Sequence, residues 1–326
     1  MTKEPIQKII RLDQIDWSDR SYIYAFEPPI SEMIQSIRQI GLLNPPILEE
    51  TMPETYRIVS GLRRIIALDH LGHHEFPAKI YSEAGPGPDL NLFLLNLYDN
   101  AAIRKFSIVE KAHILDRLTR LFQMTGQEIY ERIFPLLELG RNPQVLTRYL
   151  KLVSADDSLK VALVADEISP DTVLQLLDLS LDDRKNVFQL FQQLKIGKNN
   201  QKEVLRLLID ISNRDEMPVS RIIDQPAFAR IMTDEKLTLP VKANLVKESL
   251  KKLRYPRLSQ AEMQFDLLKK KMKLPPTIRL SPPPYFEGDK FSVEFSFRNK
   301  SEFERALKIL NSMAEEKELE TMHLLV

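Results

Sequence analysis

A glycine followed closely by two arginines forms the first candidate site for chemistry in this chain. Gly61, Arg63 and Arg64 lie between a predicted strand and a predicted helix. A glycine there lets the backbone approach a ligand, amide groups at a helix N-terminus attract anions, and guanidinium groups suit phosphate oxygens. The turn therefore indicates a phosphate-binding site. The alternative is a capping glycine with two surface arginines.

An acidic residue beside an amide forms the second candidate. Asp99 and Asn100 come at the end of a leucine-rich helix, and Arg104 follows them. Their side-chain oxygens could hold a hydrated Mg²⁺ against a triphosphate, because magnesium usually takes one or two protein oxygens together with phosphate oxygens. The alternative is a helix C-terminus with solvated polar side chains.

Several other chemistries lack the residues that they need. The chain has no cysteine, which excludes disulfides, thiolate catalysis and Cys-ligated zinc. Its nine glycines form neither a P-loop nor a dinucleotide-binding motif, and no serine-hydrolase elbow is present. The five histidines include no H-x-x-x-H pair, so we predict no metal ligand among them.

A helix-turn-helix at residues 125–153 is the third candidate. Its helices are predicted over residues 127–139 and 142–153, on either side of Gly140. Apolar positions of the second helix would face the other helices, which leaves its polar positions free for DNA phosphates or base edges. Any antiparallel helix pair could show the same pattern. The predicted DNA-binding residues are Arg141, Gln144, Thr147, Arg148 and Lys151.

Charge is segregated along the chain even though 46 basic and 46 acidic residues give a formal net charge of zero. Residues 154–183 hold eight acids and one lysine, whereas residues 242–273 hold ten bases and three acids. We expect the acidic face to point away from DNA. The basic stretch is either a DNA-facing arm or a solvated linker.

The last fifty residues predict a strand-and-helix module. Large apolar and polar residues alternate over residues 291–298, and a capping box at Ser301 and Glu304 begins a helix. Two strands and one helix are too few to bury these apolar faces, so we expect a homodimer. The predicted dimerisation residues are Phe291, Val293, Phe295, Phe297, Phe303, Leu307 and Leu310.

The first hundred residues alternate short apolar runs with helical patterns, which is typical of an α/β domain. A helix capped by Ser31 is predicted over residues 31–40, and a second over residues 62–71. The predicted strands are residues 46–49, 56–60 and 76–81.

The predicted fold class is therefore a multidomain α+β protein. No apolar run is long enough to span a bilayer, so we expect a cytoplasmic protein without a membrane segment. The predicted parts are a small α/β domain (1–105), a helical domain with the helix-turn-helix (106–215), a helical basic linker (216–275) and a ββα dimerisation module (276–326).

Three short segments, taken in order, resemble the N-terminal domain of ParB partition proteins, which shares its fold with sulfiredoxin. They are G-L-L-N-P at 41–45, G-L-R-R at 61–64, and D-N at 99–100. In the family these boxes read G-x-x-Q-P, G-E-R-R and E-N-x-x-R, and they surround a site for CTP and Mg²⁺. The helix-turn-helix and the C-terminal module are also similar to those of the family.

The resemblance implies roles for individual residues. Asp99 and Asn100 would hold Mg²⁺, and Asp99 would be the candidate catalytic residue. The implied nucleotide-binding residues are Asn44, Gly61, Arg63, Arg64, Asn100 and Arg104.

Four departures from the family boxes favour nucleotide binding over hydrolysis. Asn44 replaces a glutamine, Leu62 and Asp99 replace glutamates, and Arg104 falls one place late, with Ile103 in the usual position. A weak CTPase activity stays open. Sulfiredoxin-like redox activity is excluded, because it needs a thiol and the chain has no cysteine.

The function implied by the resemblance is that of a CTP-responsive dimeric clamp on double-stranded DNA, which acts in chromosome or plasmid segregation. It would be associated with the nucleoid and have a ParA-type ATPase as a partner. One alternative is a ParB-like DNA-binding regulator or adaptor without nucleotide hydrolysis. Another is a metal-dependent nuclease, for which no cluster of acidic and histidine ligands is found beyond Asp99.

Overall fold

The computed structural model describes residues 4–81, 87–140, 142–315 and 317–322. The chain forms two compact units, Met1–Asp178 and Leu179–Val326. The first combines a small sheet with helices, and the second is helical with a two-stranded ribbon near its end. The predicted multidomain α+β class is confirmed. Among the described residues, no helix is both long and apolar enough to cross a bilayer.

A four-stranded mixed sheet is the base of the first unit. β1 and β4 are antiparallel, β4 and β2 parallel, and β2 and β3 antiparallel, in the order β1-β4-β2-β3. The three predicted strands correspond to β2, β3 and β4. β1 is not evident from the sequence, because only one of its six residues is buried. The strands are β1 Ile6–Arg11, β2 Ile47–Met52, β3 Thr55–Ser60 and β4 Glu75–Tyr81.

Helices cover both faces of this sheet. α1 (Ser31–Ile40) and α2 (Leu62–His70) pack on one face, where Ile58 of β3 is buried with their apolar side chains. The next residue, Val59, points to the opposite face and packs in a core with the helices that follow. Ser31 is the first residue of α1 and does not cap it, because the cap position is taken by Ile30, which has no acceptor side chain.

Side chains cap several of the remaining helices of the first unit. Ser107 and Thr125 form capping boxes with the glutamates three residues later, and Ser169 caps a helix that begins at Pro170. The predicted helix 127–139 is α-helical only to Glu128 and continues as a π-helical turn to Ile133. Pro135 stops regular helix from continuing beyond Ile133, because proline has no amide donor and its ring clashes with the preceding turn. The helices are α3 Leu90–Ile103, α4 Ile108–Asp116, α5 Gly126–Glu128 with a π-helical turn Ile129–Ile133, α6 Gln144–Leu152, α7 Asp157–Val164 and α8 Pro170–Leu176.

As far as the structure describes it, the second unit begins with six helices and ends in a module of two strands and two helices, one helix more than the predicted ββα module. β5 and β6 are antiparallel, and β6 covers only half of the predicted strand 291–298. Phe265 of the last of the six helices shares a core with Leu280 and Met313 of the module. The elements are α9 Leu181–Gln193, α10 Lys198–Asp215, α11 Val219–Ile223, α12 Pro226–Thr233, α13 Leu239–Arg254, α14 Pro256–Lys271, β5 Ile278–Ser281, β6 Ser292–Phe295, α15 Lys300–Ala314 and α16 Lys317–Met322.

Candidate functional site

A cleft at the end of β3 brings together most of the predicted nucleotide-binding residues. One wall is the turn from β3 into α2, and the other is the second half of α3. Asn44 does not line the cleft, but its backbone carbonyl accepts a hydrogen bond of 2.6 Å from Arg64. The predicted residues in the lining are Gly61, Arg63, Arg64, Asp99, Asn100 and Arg104.

The turn into α2 requires glycine at position 61 for two reasons. Gly61 has a φ of +95°, in the left-handed region that L-residues seldom adopt. A Cβ atom added there would also lie 2.9 Å from the Cβ of Pro46. Pro46 precedes β2, so the close contact packs the start of one strand against the end of its neighbour.

The two arginines of the turn have different surroundings. Arg64 donates to the carbonyls of Asn44 and Pro45, at 2.6 and 3.2 Å, and so joins α2 to the loop before β2. Burial lowers the pKa of Arg64, while the charge of Asp99 acts in the opposite direction. The buried Nε of Arg63 has no hydrogen-bond partner among the described residues. A donor of Arg63, which lines the cleft, is therefore not satisfied by any described protein group.

The α3 wall is held by a chain of side-chain hydrogen bonds. Asn100 donates to the Oδ1 of buried Asn96 at 2.7 Å and accepts from Nε of Arg104 at 3.2 Å. Arg104 in turn forms an ion pair of 2.9 Å with Glu110, the capping-box glutamate of α4. Arg104 thus turns toward α4, and Ile103 is 77% exposed at the rim. Asn96 and Glu110 are positioning residues that the motif comparison does not include.

The cleft offers few protein ligands for the expected Mg²⁺ ion. Among the described residues that line the cleft, Asp99 carries the one carboxylate, and its side chain is exposed. No group of three or more Asp, Glu or His side chains able to hold a metal occurs within the described ranges. The residues fit a Mg²⁺ ion that takes most of its ligands from phosphate and water, the usual arrangement for magnesium with nucleotides.

A buried polar network lies on the α3 face of the sheet. Tyr22 donates to Glu49 at 2.7 Å and accepts from the backbone amide of Asp89, the cap residue of α3, at 2.7 Å. Arg57 bridges Glu49 and Asp19 at 3.0 and 2.5 Å. Burial raises the pKa of Glu49 in spite of its bonds from Tyr22 and Arg57. The network fixes the start of α3 and thereby the helix that carries one wall of the cleft.

The predicted DNA-contacting helix corresponds to α6. Its apolar residues pack toward the core, whereas Gln144, Thr147 and Arg148 are exposed, as the amphipathic pattern predicts. Arg141 lies outside the described residues. Arg148 forms an ion pair with Asp171 on α8, and Lys151 forms one of 2.5 Å with Asp178. The acidic stretch therefore does not point away from α6 at these two positions.

The basic stretch is partly neutralised within its own unit. Lys251 lies 3.2 Å from Glu203, Arg254 lies 3.3 Å from Asp210, and Lys269 donates to the carbonyl of Leu280 at 3.0 Å. The exposed cations at the end of the stretch are Lys270, Lys271 and Lys273.

The predicted dimerisation residues divide into two groups. Phe291 and Leu310 pack with Phe265 of α14. Phe291 lies just before β6 and is not part of the strand. Phe295, Phe297 and Phe303 form a cluster of rings whose centroids lie 4.8 to 6.2 Å apart. The residues left most exposed are Val293 at 41%, Phe297 at 53% and Leu307 at 40%.

These observations define the class of the chain: a multidomain α+β protein whose N-terminal sheet carries an arginine-lined cleft, followed by helices. Residues 2–85 match the family described as the ParB N-terminal domain. The predicted resemblance to ParB proteins is therefore confirmed over the N-terminal part of the chain.

The chain is also similar to known proteins beyond the matched family. The nucleoid occlusion protein of Oceanobacillus iheyensis is 24% identical over 225 residues, which are 69% of this chain and 72% of that protein. Among solved structures, ParB of Caulobacter crescentus complexed to the centromeric parS site is 16% identical, with a TM-score of 0.34, over 61% of this chain and 98% of that chain. The same protein complexed with CTP-gamma-S is 19% identical, with a TM-score of 0.25, over 56% and 98%.

Proposed function

We propose that this chain is a DNA-binding protein of the chromosome partition or nucleoid occlusion type, whose N-terminal cleft binds CTP with Mg²⁺. The observation that carries the proposal is the free, buried Nε of Arg63 beside Gly61, in a domain that matches the ParB N-terminal family. A buried donor without a partner costs free energy unless a ligand accepts from it. A phosphate oxygen is the acceptor that suits a guanidinium group best.

Four residues of the cleft have separate roles in this proposal. Gly61 lets phosphate groups approach the amides at the start of α2, and Arg63 supplies the charged donor. Arg64 keeps the wall in place through the carbonyls of Asn44 and Pro45. Asp99 is the candidate protein ligand of Mg²⁺, which would neutralise phosphate charge.

Hydrolysis of the nucleotide is expected to be slow or absent. The side chain of Asn44 is exposed and outside the cleft lining. Asp99 is one methylene shorter than the glutamate of the family pattern, and a displacement of about 1 Å at a reacting centre costs on the order of 100-fold in rate.

Calorimetric titration of the full chain with CTP, ATP and GTP in the presence of Mg²⁺ tests the cleft. Arg63→Gln should weaken CTP binding about 10- to 150-fold, the loss of about 1.5–3 kcal/mol for one charge-assisted hydrogen bond. Its thermal stability should not fall, because the removed Nε donor has no partner in the part of the free protein that the structure describes. Arg38→Gln, on the exposed face of α1, is the matched control.

A wild-type chain that binds no CTP would refute the nucleotide part of the proposal. The protein would then be a ParB-like regulator or adaptor that acts on DNA without a nucleotide switch. Equal losses in Arg63→Gln and Arg38→Gln would place the binding site elsewhere.

DNA binding and dimerisation complete the proposal. The exposed polar face of α6 supports contact with double-stranded DNA, and the exposed cations near the end of α14 add attraction that does not depend on sequence. The exposed Val293, Phe297 and Leu307 support a homodimer through the C-terminal module. A nucleoid location and a ParA-type ATPase partner are expectations from the family resemblance.

A further inference from the structure

We propose that Asp171 and Asp178 weaken the binding of α6 to DNA of any sequence by neutralising Arg148 and Lys151 in the free protein. This inference rests on the proposed DNA-binding function of α6. α8 packs against α6, and both cations at the end of the exposed face of α6 are paired with acids from α8 or the turn after it. Two predicted DNA-contacting residues thus form ion pairs with acids from the same neighbouring segment.

The exposure of the two pairs determines how they act. In the first pair Arg148 is 51% exposed and Asp171 is 54% exposed, and in the second Lys151 is 39% and Asp178 69% exposed. Exposed ion pairs contribute little to folding stability and are screened by salt. A ligand can therefore displace these carboxylates, which argues against a mainly structural role for the pairs.

The acids act differently on phosphate contacts and on base contacts. A phosphate is attracted by net charge, and a cation that already pairs with a carboxylate offers little of it. A guanidinium group has five N–H donors, so Arg148 can keep its bond to Asp171 and still donate to an uncharged base acceptor in the major groove. The acids thus reduce binding to DNA of any sequence more than binding to a site with the right base edges, and they raise the ratio between the two.

The test uses the full chain, a fluorescently labelled duplex of arbitrary sequence, and anisotropy measured from about 50 to 200 mM salt. Each freed cation that gains one phosphate contact should steepen the slope of log K against log salt by about 0.9, which at about 0.1 M salt raises the affinity about 8-fold. D171N and D178N together should therefore bind about 60-fold more tightly, with a slope steeper by about 1.8.

Two controls separate local pairing from total charge. D157N removes one acid from the same stretch, and Asp157 pairs with Lys160 on its own helix, not with α6. It should leave affinity and slope close to those of the wild type. D171N added to a chain that carries R148Q should have almost no effect, because the cation that it would free is already absent.

Three results would overturn the inference: unchanged affinity in the double variant, an equal gain in D157N, or weaker binding in D171N, which would make Asp171 a residue that positions Arg148 for DNA. Failure of the proposed function gives a separate result. In that case neither the wild type nor the double variant binds the duplex, and removal of the acids brings no gain.

Discussion

Replacing Gly61 with alanine tests whether the β3–α2 turn holds the cleft together. The new Cβ would lie 2.9 Å from the Cβ and 3.1 Å from the Cα of Pro46, and the residue would have to keep a φ of +95°. The left-handed conformation costs an L-residue about 1–2 kcal/mol, and overpacking adds about 1–3 kcal/mol. We therefore expect the N-terminal unit to lose about 2–5 kcal/mol.

Gly72→Ala is the matched control for the conformational part of this cost. Gly72 follows α2 with a φ of +76°, and a Cβ there would have no atom within 4 Å. Its substitution should therefore cost only the conformational part, about 1–2 kcal/mol. The difference between the two variants isolates the contact with Pro46.

Urea unfolding followed by tryptophan fluorescence measures both variants. Trp17 is the one tryptophan of the chain and belongs to the first unit, so its emission reports on that unit. With a slope of about 2 kcal/mol per molar urea, the loss in Gly61→Ala moves the midpoint down by about 1 to 2.5 M. A midpoint equal to that of Gly72→Ala would show that Pro46 yields freely and that position 61 tolerates a side chain.

Two further predictions concern the buried network and the C-terminal module. Burial raises the pKa of Glu49 above its value in the unfolded chain, so the stability contributed by the protonated form is present at low pH and lost as pH rises through the raised pKa. Glu49→Gln should therefore become more stable relative to the wild type from about pH 4.5 upward. A pH-independent difference in urea midpoints would refute this. Phe297→Asp should convert a dimer into a monomer in light scattering, because it places a charge on the most exposed of the predicted interface aromatics, whereas Tyr285→Asp, at an exposed aromatic of the same unit outside the predicted set, should remain a dimer. A Phe297→Asp chain that stays dimeric would place the interface elsewhere.

The elements around the cleft are the part of the fold that sequence patterns predict best. Strands β2 to β4 and helices α1 and α2 have apolar residues at regular spacing and end at residues such as Gly41 and Gly72, so their positions follow from local rules. β1 lacks such a pattern because four of its first five residues are exposed. Its pairing with β4 is a long-range contact, which no local pattern contains.

The partners of the site residues are less accessible to sequence reasoning. The order of the boxes indicates that Gly61, Arg63 and Asn100 belong to one site, and the structure brings them to one cleft. Nothing in their spacing shows that Arg104 pairs with Glu110. Side-chain pairing depends on helix packing in three dimensions, and an amphipathic pattern indicates which face is exposed without indicating what lies next to it.

The pairing of Arg148 with Asp171 shows why charge counts along a sequence are a poor guide to a binding face. Residues 154–183 have a strong acidic excess, and repulsion from DNA phosphates predicts that they lie away from any DNA-binding surface. In the folded chain, α8 packs on α6, and its acids lie where they neutralise specific cations of the exposed face. The same carboxylate is repelled by DNA phosphates and attracted by a neighbouring arginine. In the free protein the attraction is realised as the ion pair between Asp171 and Arg148. A face that is proposed to contact DNA can therefore carry acids beside its cations, and we expect those acids to reduce how strongly it binds DNA of any sequence.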